Sequence, residues 1–101
     1  MDAPVPDALL EDAAERFRLM GDPVRLRLLN LLLERGEASV QDLAAATGQS
    51  HQNTSKHLRK MAEGGLVGAR RDGSLAVYRV TDASVPGLCL LVCGSLRAAQ
   101  D

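Results

Sequence analysis

Aromatic residues are scarce in this sequence, which has no tryptophan, one phenylalanine and one tyrosine among its 101 residues. The hydrophobic residues, 46% of the chain, are mostly leucine, valine and alanine. Such side chains can form a core, but a thin one for a monomer of this size. We therefore expect a homodimer, in which a partner chain covers further apolar surface.

Long apolar runs and a secretory signal are also lacking. No stretch approaches the roughly 20 apolar residues of a membrane-spanning helix, and no basic segment followed by an apolar one begins the chain. These absences predict a cytoplasmic protein with no membrane partner, in which the two cysteines are free thiols. No nucleophile with a base at plausible spacing, phosphate loop or pair of catalytic carboxylates is found. We therefore expect neither an enzyme nor a small-molecule substrate.

Charge of one sign does not dominate the chain, whose formal net charge is −1. That balance alone argues against a nucleic-acid partner, but the charges are unevenly distributed. Residues 50–79 hold six basic against two acidic side chains, whereas residues 1–49 hold five basic against nine acidic ones. A locally basic surface on a neutral body is typical of a domain that binds phosphate groups.

The N-terminal half of the sequence predicts two helices after a disordered arm over residues 1–6. The first helix covers residues 7–20, where apolar side chains recur at three- and four-residue steps. Asp22 and Pro23 form a strong start signal for a second helix over residues 24–34. This second helix is leucine-rich on most sides, so we expect it to be the buried centre of the fold.

Two short helices separated by a tight turn come next. Ser39 is an N-cap residue with an acid three positions later, a variant of the capping box, and Gly48 closes the helix that it opens. Ser50 caps a second, more polar helix that ends at Gly64, and three residues form its inner face: Thr54, Leu58 and Met61. Two helices joined in this way predict a helix-turn-helix.

The remaining sequence predicts a β-hairpin and a last helix. Two strand-like segments flank Asp72-Gly73, a dipeptide favoured in two-residue turns whose central positions both need positive φ. Thr81-Asp82 caps the last helix, and Pro86 is tolerated in its first turn. The predicted fold class is mainly α with a small β-hairpin, a winged helix-turn-helix of order ααααββα. It forms one domain over residues 7–101, with the helix-turn-helix at about 39–64, the wing at about 66–80 and the last helix at about 83–99.

Polar side chains on the second helix of the helix-turn-helix are candidates for contact with double-stranded DNA. Near its N-terminus, where such helices enter the major groove, the candidates for base edges are Gln52, Asn53, Ser55 and Lys56. Farther along, Arg59 and Lys60 are expected to meet phosphates, and the hairpin adds backbone or minor-groove candidates: Arg70, Arg71 and Ser74. His57 falls at the edge of the buried face and is expected to be packed and hydrogen-bonded, while His51 could touch DNA.

Two other interpretations of this surface remain open. The residues could form an ordinary solvated helix face, which is the commoner role of each one taken alone. The domain could also be a winged-helix module that binds a protein and no DNA. An outer face that is neither apolar nor acidic argues against the second alternative.

These segments together resemble the ArsR/SmtB family of bacterial winged-helix repressors over about residues 12–99. Residues 21–29 (GDPVRLRLL) are similar to the family's ADPTRLRIL at the start of its second helix. Residues 50–58 (SHQNTSKHL) are similar to its recognition helix, SQPTVSHHL. The resemblance implies a homodimer joined through its first and last helices. It also implies a repressor that binds an inverted-repeat operator and leaves it when an inducer binds.

The sensory motifs of that family are not intact here. Its arsenic and lead sensors have a thiol pair at the start of the third helix, where this chain has no cysteine. Its zinc and cobalt sensors use Asp and His along the last helix; Asp82 matches the first of these positions, but Ser84 occupies the next and no histidine follows. Its redox members pair a cysteine of the second helix, absent here, with one in the last.

Cys89 and Cys93 therefore remain as candidate sensory residues. Their spacing places both thiols on one face of a helix, with β-carbons about 6 Å apart, where they could bind a soft ion such as As(III), Hg(II), Cd(II) or Cu(I). A thiol-redox switch is an alternative, with a disulfide more natural between subunits. The apolar run over residues 88–93 favours a third possibility, two buried core thiols that bind nothing.

Overall fold

The computed structural model describes residues 5–100 and has the predicted order of helix, helix, helix-turn-helix, hairpin and helix. Of the predicted arm, residues 1–4 lie outside the described residues, and the Pro6 carbonyl accepts hydrogen bonds from the first turn of helix α1. The helices and strands have these bounds: α1 Asp7–Met20, α2 Pro23–Arg35, β1 Ala38–Ser39, α3 Val40–Thr47, α4 His51–Glu63, β2 Val67–Asp72, β3 Leu75–Val80, α5 Ser84–Leu88, a π-helical segment Cys89–Cys93 and α6 Gly94–Gln100. None of the described helices is both long and apolar enough to cross a bilayer.

One face of α2 forms the middle of the core. Leu28, Leu29 and Leu32 are buried there, and they pack with apolar residues of every other helix up to α5. Leu26 and Leu33, in contrast, are exposed. The prediction that α2 is the buried centre of the fold is therefore confirmed for one face only, because the surrounding elements leave its other side exposed.

A three-stranded antiparallel sheet has the order β1-β3-β2. The sequence did not predict β1, because two residues are too few to show the alternation of a strand. The hairpin turn is also displaced from its predicted position. Asp72 pairs with Leu75, so that Gly73 and Ser74 form the turn, and only Gly73 has a positive φ (63°). This pattern fits a type II′ turn, which needs glycine at its first central position only.

The last helix is less regular than predicted. Its N-cap residue is Ala83, one position after the predicted Thr81-Asp82 cap, although Asp82 Oδ1 still accepts a hydrogen bond of 2.9 Å from the Ser84 backbone N–H, and Pro86 lies in the first turn. The middle part, Cys89–Cys93, is π-helical and separates α5 from α6. Spacing alone cannot distinguish α from π turns over five apolar residues. We call α5, the π-helical segment and α6 together the C-terminal helix.

Candidate nucleic-acid interface

Two serine caps mark the starts of α3 and α4, and one glycine turns the chain between them. Ser39 Oγ accepts from the Asp42 backbone N–H at 3.1 Å, and Ser50 Oγ accepts from the Asn53 backbone N–H at 3.0 Å. Between the two helices Gly48 has left-handed backbone angles, φ 72° and ψ 12°. These caps and this turn were predicted, and the structure confirms them.

Helix α4 separates its apolar from its polar residues. Thr54, Leu58 and Met61 are completely buried, as predicted. The opposite side carries the predicted polar candidates, with Asn53 and Ser55 half-buried at the flanks and four exposed residues between them: Gln52, Lys56, Arg59 and Lys60. Lys56, Arg59 and Lys60 line one shallow groove together with Glu63. The outer face of α4 thus offers amide groups near its N-terminus and positive charge farther along.

Gln49 is a polar neighbour of this face that the sequence analysis missed. Its Oε1 accepts a hydrogen bond of 2.6 Å from Nδ2 of Asn53. Its only sequence signal was its place one residue before the Ser50 cap of α4, four positions from Asn53.

The wing presents fewer free cations than its sequence suggests. Arg70 forms an ion pair with Glu37, which precedes β1, at 2.7 Å between Nη2 and Oε1. This hydrogen bond and the charge of Arg70 lower the pKa of the Glu37 carboxyl. Arg71 donates to the Ser74 carbonyl within the turn at 3.4 Å, and its side chain is exposed. Arg79, not among the predicted site residues, is exposed beside Glu37 and Arg70.

Arg25 links three helices behind the interface, which the sequence did not reveal. Its Nε donates to the Leu19 carbonyl at the end of α1 at 2.6 Å, and its Nη1 lies 3.4 Å from Nδ1 of His57 on α4. His57 is half-buried, so its predicted packed and hydrogen-bonded role is confirmed. His51 is exposed at the start of α4.

Both cysteines line one apolar cavity of about 230 Å³ between α1, α2 and the C-terminal helix. Its other lining residues are Phe17, Met20, Gly21, Leu26, Leu88 and Val92. The expected common face of the two thiols is thus confirmed. Cys89 is half-buried against the core, whereas Cys93 and residues 90–92 are exposed. Cys93 is exposed in the single chain, so the interpretation of two buried thiols that bind nothing requires a partner chain to cover this side of the helix.

Within the described residues, the cysteine pair offers two sulfur ligands for a metal ion and no clustered third ligand. Burial raises the pKa of the Cys89 thiol, and Cys93 adds to the rise, so that Cys89 is protonated at neutral pH. Within residues 5–100 no cluster of three or more His, Cys, Asp or Glu side chains is arranged to hold a metal ion. Asp82 does not supply such a ligand, because its carboxylate binds Arg16 at 2.6 Å as well as the Ser84 N–H.

Comparison with known proteins agrees with this architecture. A family model described as a helix-turn-helix domain matches residues 20–67. The chain is 38% identical over 89 residues to a probable mercury resistance operon repressor of Streptomyces lividans, covering 88% of this chain and 70% of that one. It is also 38% identical over 85 residues to the transcriptional regulator Rv0324 of Mycobacterium tuberculosis, of whose length it spans 37%.

Solved structures of similar shape are transcriptional regulators as well. The antimony-specific repressor AntR has a TM-score of 0.88 and 31% identity, covering 99% of this chain and 91% of that one. A homodimeric winged helix-turn-helix DNA-binding domain of Mycobacterium bovis, a possible ArsR-family regulator, has a TM-score of 0.80 and 33% identity, covering 96% and 91%. Shared sequence, shared fold and the polar face of α4 agree, and the chain belongs to the ArsR/SmtB family of winged helix-turn-helix transcriptional repressors.

Proposed function

We propose that this repressor binds an inverted-repeat operator in duplex DNA as a homodimer, with α4 in the major groove and the β2–β3 hairpin on the backbone. The observation that carries the proposal is the outer face of α4, which is polar and basic while its inner face is fully buried. A polar helix after a tight turn is the arrangement that inserts into the major groove.

Apolar side chains outside the core supply the dimer surface. Leu9, Leu10 and Phe17 are exposed on α1, and a second exposed group lies on the C-terminal helix: Leu90, Leu91, Val92 and Leu96. Contiguous exposed apolar surface of this kind marks an interaction site. A partner of the same sequence related by a two-fold axis would cover both helices at once. A two-fold protein binds two half-sites about 34 Å apart or a multiple of that distance, hence the inverted repeat.

Base and phosphate contacts are assigned by position on the interface. Gln52, Asn53, Ser55 and Lys56, near the N-terminus of α4, contact base edges. The remaining predicted residues contact the sugar-phosphate backbone: Arg59, Lys60, Arg70, Arg71 and Ser74. Arg70 does so only after its ion pair with Glu37 opens.

A gel-shift titration with the DNA upstream of the protein's own gene tests the proposal. Arg59→Ala should weaken binding and lower the slope of log affinity against log salt by about one, because one phosphate contact is lost. Gln52→Ala should relax the preference at particular base positions. A DNA affinity that does not depend on salt would support a protein-binding module instead. So would a DNA affinity and base preference that neither substitution changes.

A soft, thiol-binding ion at Cys89 and Cys93 is the inducer that we propose. Both cysteines line one cavity next to the proposed dimer surface, and π-helical turns are often found at functional sites. A soft ion displaces the thiol proton that burial favours at Cys89. Similar repressors are named for mercury, arsenicals and antimony, which are all thiophilic. Further ligands would come from the partner copy or from solvent.

Operator release by a panel of compounds tests the inducer: arsenite, antimonite, and mercury, cadmium, copper and zinc salts. Wild type should release the operator with one of the thiophilic ions, and the Cys89→Ser, Cys93→Ser double variant should not. Release by peroxide or persulfide that needs both cysteines would favour the redox alternative. Release that survives loss of both thiols would remove both cysteine hypotheses and leave DNA binding untouched.

A further inference from the structure

One base-edge candidate on α4 has its side chain held before any DNA arrives. Asn53 donates its backbone N–H to Ser50 Oγ at 3.0 Å and its side-chain Nδ2 to Gln49 Oε1 at 2.6 Å. Gln49 lies in the turn between α3 and α4 and is half-buried, so its own position is restricted. Gln52, the neighbouring candidate, is exposed and has no side-chain hydrogen bond to the described residues.

The hydrogen bond with Gln49 determines which end of the Asn53 amide remains free to contact a base. A side-chain amide has an acceptor oxygen at one end and two N–H donors at the other. As long as Gln49 keeps its oxygen toward Asn53, the Asn53 amide cannot flip without losing that bond. The Asn53 Oδ1 and the second N–H of Nδ2 remain available. Together they match the N6–H donor and the N7 acceptor that adenine presents in the major groove.

A freely rotating asparagine at this position would be less selective. After a flip, its two N–H groups could face the N7 and O6 acceptors of guanine, and its oxygen alone could accept from N4 of cytosine. Fixing the rotamer in advance also reduces the conformational entropy lost on binding. The contact with Gln49 therefore affects which base is chosen more than how strongly DNA is held.

We propose that Gln49 is a positioning residue for base recognition, which fixes the amide of Asn53 so that Asn53 selects adenine. The inference rests on the proposed function, since it requires α4 to lie in the major groove. Gln49 need not touch the DNA itself. It acts through the orientation of one side chain at the N-terminus of the helix.

The test begins with selection of operators from a random duplex library by the wild-type chain. Each operator position is then replaced in turn, and affinities are compared for wild type, Asn53→Ala and Gln49→Ala. Asn53→Ala should abolish an adenine preference at one position per half-site. Gln49→Ala should reduce the preference at that same position by on the order of tenfold. Affinity for non-specific duplex and the urea unfolding midpoint should stay at their wild-type values.

Two conservative variants separate positioning from packing. Gln49→Glu keeps the acceptor for Asn53, so the adenine preference should persist while the added negative charge weakens binding to every duplex. Gln49→Met keeps the length without a polar atom and should lose the preference. Gln41→Ala removes an exposed glutamine of α3 that has no side-chain hydrogen bond to the described residues. It should change neither the adenine preference nor the affinity for duplex DNA.

The base preferences of the single and double variants decide whether Gln49 acts through Asn53. A Gln49→Ala, Asn53→Ala double variant with the same preference as Asn53→Ala alone supports it, because the two residues then act as one unit. Unchanged preference in Gln49→Ala, or an equal loss at every position, overturns it and leaves the proposed DNA binding intact. A wild-type chain that selects no sequence and binds DNA independently of salt overturns the proposed function and this inference together.

Discussion

Single polar side chains decide where three helices of this repressor start, namely α2, α3 and α4. Asp22, Ser39 and Ser50 each accept a hydrogen bond from a backbone N–H two or three residues ahead. Such contacts satisfy N–H groups that have no partner within the helix. At Asp22 they also have a consequence for pH, because the bond from the Arg25 N–H lowers the pKa of the carboxyl.

Asp22→Ala should reduce the free energy of unfolding by about 1 kcal/mol at pH 7, the usual contribution of an N-cap. A carboxyl whose pKa is lower in the folded state stabilises the protein above its unfolded pKa of about 3.9, and this contribution disappears as pH falls through the folded pKa. The difference between wild type and Asp22→Ala should therefore shrink below about pH 4. Urea unfolding at fixed protein concentration measures it.

Asp22→Asn is the matched control for this prediction, because asparagine caps helices equally well and does not titrate. Its stability difference from Asp22→Ala should stay constant with pH. A wild-type advantage over Asp22→Ala that is unchanged between pH 7 and pH 3 would mean that the charged carboxylate does not matter at this cap.

The ion pair between Glu37 and Arg70 governs how much positive charge the wing offers to DNA. Glu37→Gln removes the carboxylate that Arg70 contacts and releases the guanidinium. We expect tighter binding to duplexes of any sequence, with a salt slope steeper by about one contact. Fluorescence anisotropy over a series of salt concentrations measures both quantities.

Glu34→Gln makes the same change of net charge at an exposed residue of α2. It should alter affinity much less than Glu37→Gln, since the effect depends on Arg70 and not on the total charge. Weaker binding in Glu37→Gln would contradict the prediction and would indicate that the ion pair holds the wing in its binding position.

At the scale of elements, the turn between α3 and α4 depends on one glycine. Gly48 has left-handed angles, and an added Cβ would meet nothing within 4 Å. Gly48→Ala should therefore destabilise through the backbone alone, by about 1–2 kcal/mol. Gly48→Asn should lose less, because asparagine tolerates this conformation. Thermal unfolding of both variants tests the prediction, and equal losses would contradict it.

In the C-terminal helix, contacts with other elements and the π-helical turn add to what local hydrogen bonding sets. Its start just after Asp82 follows from local hydrogen bonding, and Arg16 of α1 also binds the same carboxylate. This second contact explains why Asp82 is not free to serve as a metal ligand. The π-helical turn over Cys89–Cys93 has no counterpart in any sequence pattern that we recognise.

At the scale of the whole molecule, the apolar faces of α1 and the C-terminal helix are exposed in the single chain and form the proposed dimer surface. Leu10 and Leu91 are 51% and 72% exposed, and neither lines the cysteine cavity. Leu10→Glu combined with Leu91→Glu should convert a dimer into monomers, because two charges per chain would be buried at the interface. Sedimentation velocity measures the change. Operator binding should fall far more than non-specific binding, since two half-sites are no longer bound together.

Leu75→Glu is the control for assembly. Leu75 is also exposed, but it lies at the tip of the hairpin, away from the proposed dimer surface. This variant should sediment like wild type. A Leu10→Glu, Leu91→Glu variant that remains dimeric would place the interface elsewhere.

The sequence by itself determined the order of the longer helices and of the hairpin, the caps of α2, α3 and α4, and the two faces of α4. These features depend on residues a few positions apart, and local hydrogen bonding and apolar periodicity act over that range. Tertiary structure alone decided the contacts between distant residues. Glu37 is 33 residues from Arg70, and Arg25 is 32 residues from His57.

Burial was likewise decided by tertiary structure wherever an element had apolar residues on several sides. Leu28 and Leu26 look alike in the sequence of α2, yet only Leu28 is buried. Hydrophobicity says which side chains gain from leaving water, but the packing of the other elements, and of a partner chain, decides which of them do so.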